Sequence, residues 1–322
     1  MADGAPPIPE DVLEEVQLDR LRETPEPTSN IPRHTFELIE DLHGPSASGA
    51  VTHRPTKRVV VISDLHCGSR VGLTPPEWQY DLDTKYGRLQ SIYWNFYAET
   101  IKSLQPIDVL VVNGDAIDGK ADKDGGTGQS TVDRVVQRKM AYRCIRLCAP
   151  RKLLMTFGTK YHVAGNGGED WEEMILDECR DTLDLEWAKI GDNEDLSVNG
   201  LLMNFKHKCG SSTIPHGVFT PIAKEKLWNM LWAETGQRKQ ARIVVRSHVH
   251  KVALASAADG QGVWEAFTTP ALQGLGSKYG GRECSGLVDF GLTEILVDGN
   301  GNFTRRFHLL APDHSPVVPM EG

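Results

Sequence analysis

Five short runs hold the residues that could do chemistry: Asp64-Leu65-His66, Gly114-Asp115, Gly158-Thr159 through His162, His207, and His248-Val249-His250. Imidazole nitrogens mixed with carboxylates suit Mn, Fe, Zn, Ni or Co better than Ca or Mg, whose shells are usually all oxygen. A carboxylate such as Asp115, set among the others, could bridge two such ions roughly 3.5 to 4 Å apart and leave room for a shared water, the nucleophile of two-metal hydrolysis. Singly, each residue also reads as a buried, hydrogen-bonded polar side chain. As a set they read better as ligands.

The elements that must position them are legible around the runs. Each run follows an apolar stretch: 59–62, 109–112, 153–155, 201–203 and 243–245. Buried parallel strands look like this, and ligands in open α/β sheets collect at the carboxyl ends of the strands. Strands are expected at 59–63, 108–112 and 152–157, with helices at 91–100, 132–148 and 169–181 between and after them. A second group of strands begins near Leu196. Thr220-Pro221 opens a helix to about Glu234, since proline is tolerated at the first helical position; its Trp228 and Trp232, one turn apart, read as core. The last third is largely β: 252–258, 263–269, and a hairpin of 292–297 with 303–310 around the turn Asp298-Gly299-Asn300-Gly301-Asn302.

Of 322 residues, 39% are hydrophobic and 25% charged, ordinary for a globular chain able to bury a large core. Residues 1–50 hold 11 acidic and 3 basic side chains, a charge of −8 out of −9, so the body is nearly neutral and strong sequence-blind duplex binding is not expected. We expect an acidic, Pro-rich arm at 1–56 with one amphipathic stretch, Asp11 to Glu23, which reads either as a mobile tail or as a docking element for a protein partner. A catalytic domain at 57–311 and a tail at 312–322 complete the division. No membrane span or signal peptide is evident, and a cytoplasmic protein is the expectation. The six scattered cysteines suit reduced thiols, with Cys67 and Cys209 near the metal runs.

The ordered set resembles the calcineurin-like metallophosphoesterases. Their signature D-x-H, GD-x-x-D, GN-H-D/E, a lone His after a strand and GH-x-H stands here as Asp64-x-His66, Gly114-Asp115-x-x-Asp118, Gly158-Thr159-Lys160-Tyr161-His162, His207 and Ser247-His248-Val249-His250. The resemblance spans about residues 57 to 310 and implies an α/β fold, a four-layer αββα sandwich of two mixed β-sheets with the metal site at one end. By position it implies that Asp64, His66 and His250 hold one ion, that Asp115 bridges, and that His207 and His248 hold the second, with Asp118 supporting from behind. The third motif departs, with Thr159 in place of Asn and the histidine displaced by two residues to His162. Three readings stay open: Thr159 or a water completes the second shell while His162 is the phosphate-binding general acid, His162 itself reaches the second ion, or Gly165-Asn166 supplies the displaced Asn. The first is favoured because Gly158-Thr159 sits where Gly-Asn belongs. This G-T-x-x-H form is similar to that of phage and prophage members, whose setting would be the host cytoplasm.

What the resemblance implies is a hydrolase in which a metal-bridging hydroxide attacks phosphorus, with manganese as first choice of ion and Asp115 and His162 as catalytic groups. Arg70 and Lys160, close in sequence to ligands, are candidate phosphate contacts, and His216 a candidate substrate contact at the cleft mouth. Trp78, Tyr80, Tyr86, Tyr93, Trp94, Phe96 and Tyr97 crowd one excursion. Rings there point to base stacking, hence a nucleotide or nucleic-acid phosphodiester, although 93–97 fit core contacts as well. The expected function is a phosphodiesterase or nuclease; the alternatives are a phosphomonoesterase and, in another class, a scaffold that keeps the fold without the chemistry.

Overall fold

The apolar runs become strands and the amphipathic stretches between them helices. The structure, a computed structural model, describes residues 54–120, 125–163, 170–212, 214–260, 262–275 and 287–311. In chain order these form β1 (Lys57–Ile62), α1 (Lys85–Ser103), β2 (Val109–Asn113), α2 (Arg134–Leu147), β3 (Lys152–Thr156), the single turn α3 (Lys160–Val163) and α4 (Trp171–Thr182). There follow β4 (Trp187–Gly191), β5 (Glu194–Val198), β6 (Leu201–Phe205), α5 (Thr220–Glu234) and β7 (Ile243–Arg246). The chain then continues through β8 (Ala253–Asp259), β9 (Gly262–Thr268), β10 (Gly291–Val297) and β11 (Phe303–Leu309).

One sheet has the order β11-β10-β1-β2-β3-β4 and the other β5-β6-β7-β9-β8. In the first, β1 to β4 are parallel and β10 joins β1 antiparallel; in the second, β6, β7 and β9 are parallel. Both sheets are therefore mixed. They meet through alternate residues, Val59, Val61, Val111 and Ile295 of one against Met203, Phe205, Val245 and Phe267 of the other. The intervening Val60, Ile62, Leu110, Val112, Leu153 and Met155 are also fully buried, which is why these strands read as unbroken apolar runs rather than alternating ones. The helices α1, α2 and α4 fall in the crossovers of the first sheet, with α2 packed on α4. On the far side of the second sheet α5 rests on β7, β8 and β9. The layers are those of the expected αββα sandwich.

Boundaries move for local reasons. The first helix starts at Lys85, well before the expected 91, because Thr84 caps it by accepting from Gly87 N at 3.0 Å. Asp133 and Asp170 cap α2 and α4 in the same way. β4 was not expected: it is a partly exposed edge strand carrying Lys189, so neither an apolar run nor alternation announces it.

These elements belong to one compact unit, Glu37–Leu309; apart from 310 and 311, the other unit, Met1–Phe36 with Leu310–Gly322, lies outside the described residues. The Asp11–Glu23 stretch, most of the 1–56 arm, Asn166 and the 312–322 tail lie outside them too. Among the described residues no helix is long and apolar enough to cross a membrane.

Candidate metal centre

The expected ligands follow the carboxyl ends of four strands: Asp64 and His66 after β1, Asp115 after β2, His207 after β6, and His248 and His250 after β7. Asp64, His66, Asp115, His248 and His250 have φ of 50°, 43°, 53°, 75° and 54°, five of the seven non-glycine residues at positive φ among those described. A left-handed backbone costs such residues roughly 1–3 kcal/mol each, so its concentration at one place points to function. Gly114, at φ 82°, makes room for the neighbouring ligand: a Cβ there would stand 2.5 Å from His207 Nδ1.

Two adjoining pockets result. Asp64, His66 and His250 bring their ligand atoms within 4.8 Å of one another, and so do Asp115, His207 and His248. His207 Nε2 lies 2.9 Å from Asp115 Oδ2 and 4.0 Å from Asp64 Oδ1, and His250 Nε2 lies 3.2 Å from Asp64 Oδ1, so the pockets share a wall. His66 Nε2 is buried without a hydrogen-bond partner, and Asp64 Oδ1 and His207 Nε2 are buried facing only the ionisable groups of the shared wall. The Nδ1 atoms of His66 and His207 are committed. His66 Nδ1 pairs with the Asp118 carboxylate at 3.1 Å and His207 Nδ1 donates to the Asn113 carbonyl at 2.8 Å. Such bonds fix the tautomer and leave Nε2 with its lone pair toward an ion, so the residues present fit a pair of transition-metal ions.

With only protons to balance charge, the centre already draws in cations. Burial opposes ionisation of Asp64, but His250 and His207 outweigh it and hold the carboxyl well below the usual range. Burial likewise opposes Asp115, and His207 outweighs it. His207 is pushed up to about 10, since Asp115 and Asp64 overcome the burial that would lower it. Burial, with His207 nearby, pushes His248 down to about 4, and burial lowers His66. Two buried carboxylates, beside His66 and His248 imidazoles that burial keeps neutral, form a donor set that a divalent ion would neutralise.

Asp118 holds two histidines at once. Its Oδ1 meets His66, its Oδ2 accepts from Gln129 Nε2 at 2.9 Å, and its main-chain carbonyl accepts from His162 Nδ1 at 2.8 Å. Beneath the pockets a buried polar chain ties the strand ends of both sheets together. Thr156 Oγ1 donates to Asn113 Oδ1 at 2.9 Å and Asn113 Nδ2 to Ser247 Oγ at 2.6 Å, while Thr269 Oγ1 lies 2.7 Å from both Ser247 Oγ and Ser63 Oγ. Glu172, fully buried, accepts from Ala116 N at 3.0 Å and Gly158 N at 2.6 Å, clamping the loops after β2 and β3; burial pushes its carboxyl up to about 8. Sequence reading missed Gln129, Asn113, Ser247, Thr269 and Glu172. The available hints were that Ser247 opens the fifth motif and that Gln129 follows Gly125, Gly126 and Gly128 a few residues after Asp118.

Thr159 stands at Asp115, its N donating at 2.7 Å and its hydroxyl lying 2.8 Å from each carboxylate oxygen. His162 groups with His66 and Asp118, its ring centroid 4.6 Å from that of His66, and not with His207 and His248. The Arg70 guanidinium donates to the Gln129 carbonyl at 3.3 Å and covers the Tyr86 ring, Lys160 is exposed at the start of α3, and His216 is exposed in a 3-10 turn. Cys67 donates to the Leu73 carbonyl and Cys209 lies in an apolar cluster, so neither joins the pockets. Tyr93, Trp94 and Tyr97 are core residues. The Trp228 and Trp232 pair departs from its expected place in the core: the rings stack at 6.4 Å, but Trp228 is 45% exposed.

An αββα sandwich with a buried Asp and His centre at its strand ends is the class that fold and site define. No protein-family model and no curated protein matches the sequence. Among solved structures it is similar to Vps29 from Entamoeba histolytica complexed with zinc, at 14% identity and TM-score 0.33, covering 78% of this chain and 99% of that one. It is also similar to an archaeal phosphodiesterase, at 8% identity and TM-score 0.35 with the same coverages. A third is NAD nucleotidase from Haemophilus influenzae, at 9% identity and TM-score 0.37, with 78% of this chain covering 49% of that one. Likeness of this size transfers no activity.

Proposed function

We propose that the protein is a metal-dependent phosphoesterase in which Asp64, His66 and His250 hold one divalent transition-metal ion, His207 and His248 hold another, and Asp115 bridges. Its substrate, in this reading, is the phosphodiester of a nucleotide or nucleic acid. The observation that carries the proposal is the convergence of the two Asp and His triads, with the His66 and His207 nitrogens that face away from the shared wall already tied down. Bound there, divalent ions would supply Lewis acidity toward phosphate oxygens and a water acidic enough to ionise near neutral pH, with manganese the first ion to test.

The protein's own residues orient and move protons. The backbone N–H and the hydroxyl of Thr159, the latter within 2.8 Å of both oxygens, fix the Asp115 carboxylate at the shared wall. His162, held through Nδ1 by the Asp118 carbonyl, keeps Nε2 for a non-bridging phosphate oxygen or the leaving oxygen. Lys160, exposed beside Thr159, brings positive charge to an incoming phosphate. The core takes Tyr93, Trp94 and Tyr97, Phe96 packs on Phe290 and Arg70 covers Tyr86; the exposed Tyr80 remains as a ring for a base, which supports a nucleotide-bearing diester.

The test is hydrolysis of bis-p-nitrophenyl phosphate and p-nitrophenyl phosphate side by side with manganese, with Asp115→Asn as control. Diester cleavage should be preferred and should fall in the variant by several kcal/mol of barrier, on the order of 10³-fold. Undiminished turnover in the variant would refute the assignment. A monoester preference would make the protein a phosphatase; silence toward both substrates would leave a narrow-specificity enzyme if the protein binds metal and a scaffold if it does not.

A further inference from the structure

Helix α5 is turned inside out. It directs Lys226 and Asn229 into the protein and leaves Leu227 59%, Trp228 45% and Leu231 48% exposed. Two polar anchors hold that rotation: Lys226 Nζ donates to the Ala241 carbonyl at 2.6 Å, and Asn229 Oδ1 accepts from Ala241 N at 2.9 Å. Phe219, 53% exposed just ahead of the helix, lengthens the apolar face. Single exposed apolar residues are ordinary, but a contiguous patch on one helix face marks an interaction site.

We propose that this face is the contact between two copies of the chain, with α5 packing antiparallel against its mate across a twofold axis. The charge pattern selects this occupant. Along the outward stripe the order is Lys224, Leu227, Trp228, Leu231, Glu234, all exposed. An axis crossing the helix at the level of residue 229 opposes positions equidistant from it, which sets Lys224 against Glu234, Leu227 against Leu231, and Trp228 beside its own mate. A twofold contact must be self-complementary, and a cation and an anion flanking an apolar centre satisfy that condition. Parallel in-register pairing would instead oppose like charges. One helix per copy makes a small interface, so the dimer should be reversible.

Sedimentation of the full chain over a wide concentration range tests the proposal. Wild type should pass from monomer to dimer, and Leu231→Glu should weaken association at least about tenfold, with hydrolysis unchanged and the thermal midpoint unchanged at concentrations where wild type is monomeric. Lys224→Glu and Glu234→Lys should each be monomeric alone, through like-charge opposition, and should form a one-to-one heterodimer when mixed. Wild type that stays monomeric throughout would overturn the proposal and give the face to a different protein. Association untouched by Leu231→Glu, or charge variants that fail to pair on mixing, would overturn it as well.

Discussion

The two pockets of the centre are supported by different means. In the first, His66 leans on the Asp118 side chain and Asp118 leans on Gln129, a relay of replaceable side chains. In the second, His207 leans on the Asn113 main-chain carbonyl, and Asp115 is gripped by the backbone N of Thr159 as well as its hydroxyl. A carboxylate behind an imidazole raises the basicity of the ring and can be changed by one substitution; a backbone carbonyl cannot. His162 stands on the first side too, edge-on to His66. The second pocket is thus built into the sheet, while the first is open to tuning and adjoins the candidate acid.

The largest effect that should separate the two sides is at His162. In His162→Gln, turnover should fall roughly 10²–10⁴-fold while metal content is unchanged, as kcat and elemental analysis together would report. Loss of an ion along with turnover would make His162 a ligand and erase the distinction. Next in size is Asp118→Asn, which should weaken one ion about 10–100-fold and leave the other in place, read by calorimetric titration. Equal weakening of both would show that the pockets do not stand apart.

The smallest effect concerns Glu172, the clamp between the loops of Asp115 and Thr159. Burial raises its carboxyl from 4.5 to about 8, so the folded protein keeps a proton that the unfolded chain releases. Its contribution to stability is therefore full below about 4.5 and is lost as pH rises through about 8. In chelator, the thermal midpoint of wild type should drop by several degrees relative to Glu172→Gln between acid and alkaline pH. A constant difference would show that folding does not shift the Glu172 carboxyl.

The proposed ligands were legible because each ends an apolar run and because Asp64-x-His66 and His248-x-His250 keep a spacing that ordinary loops have no reason to keep. Their supports were not. Gln129, Asn113 and Glu172 are common polar residues whose partners lie elsewhere in the chain, and only the folded sheet ends bring them together. Helix α5 misled for a related reason: apolar residues at helical spacing normally face inward, but Lys226 and Asn229 find their partners at Ala241 and rotate the aromatic face outward. Strand β4 escaped notice because an exposed edge strand needs no apolar pattern to pair with β3.

The most direct measurement is the number of manganese ions taken up per chain by chelator-stripped protein, wild type and Asp115→Asn, by calorimetric titration at equal concentration. Wild type should bind two ions, and the variant one at most. No uptake by wild type, or two ions held undisturbed by the substitution, would contradict a two-ion centre bridged by Asp115.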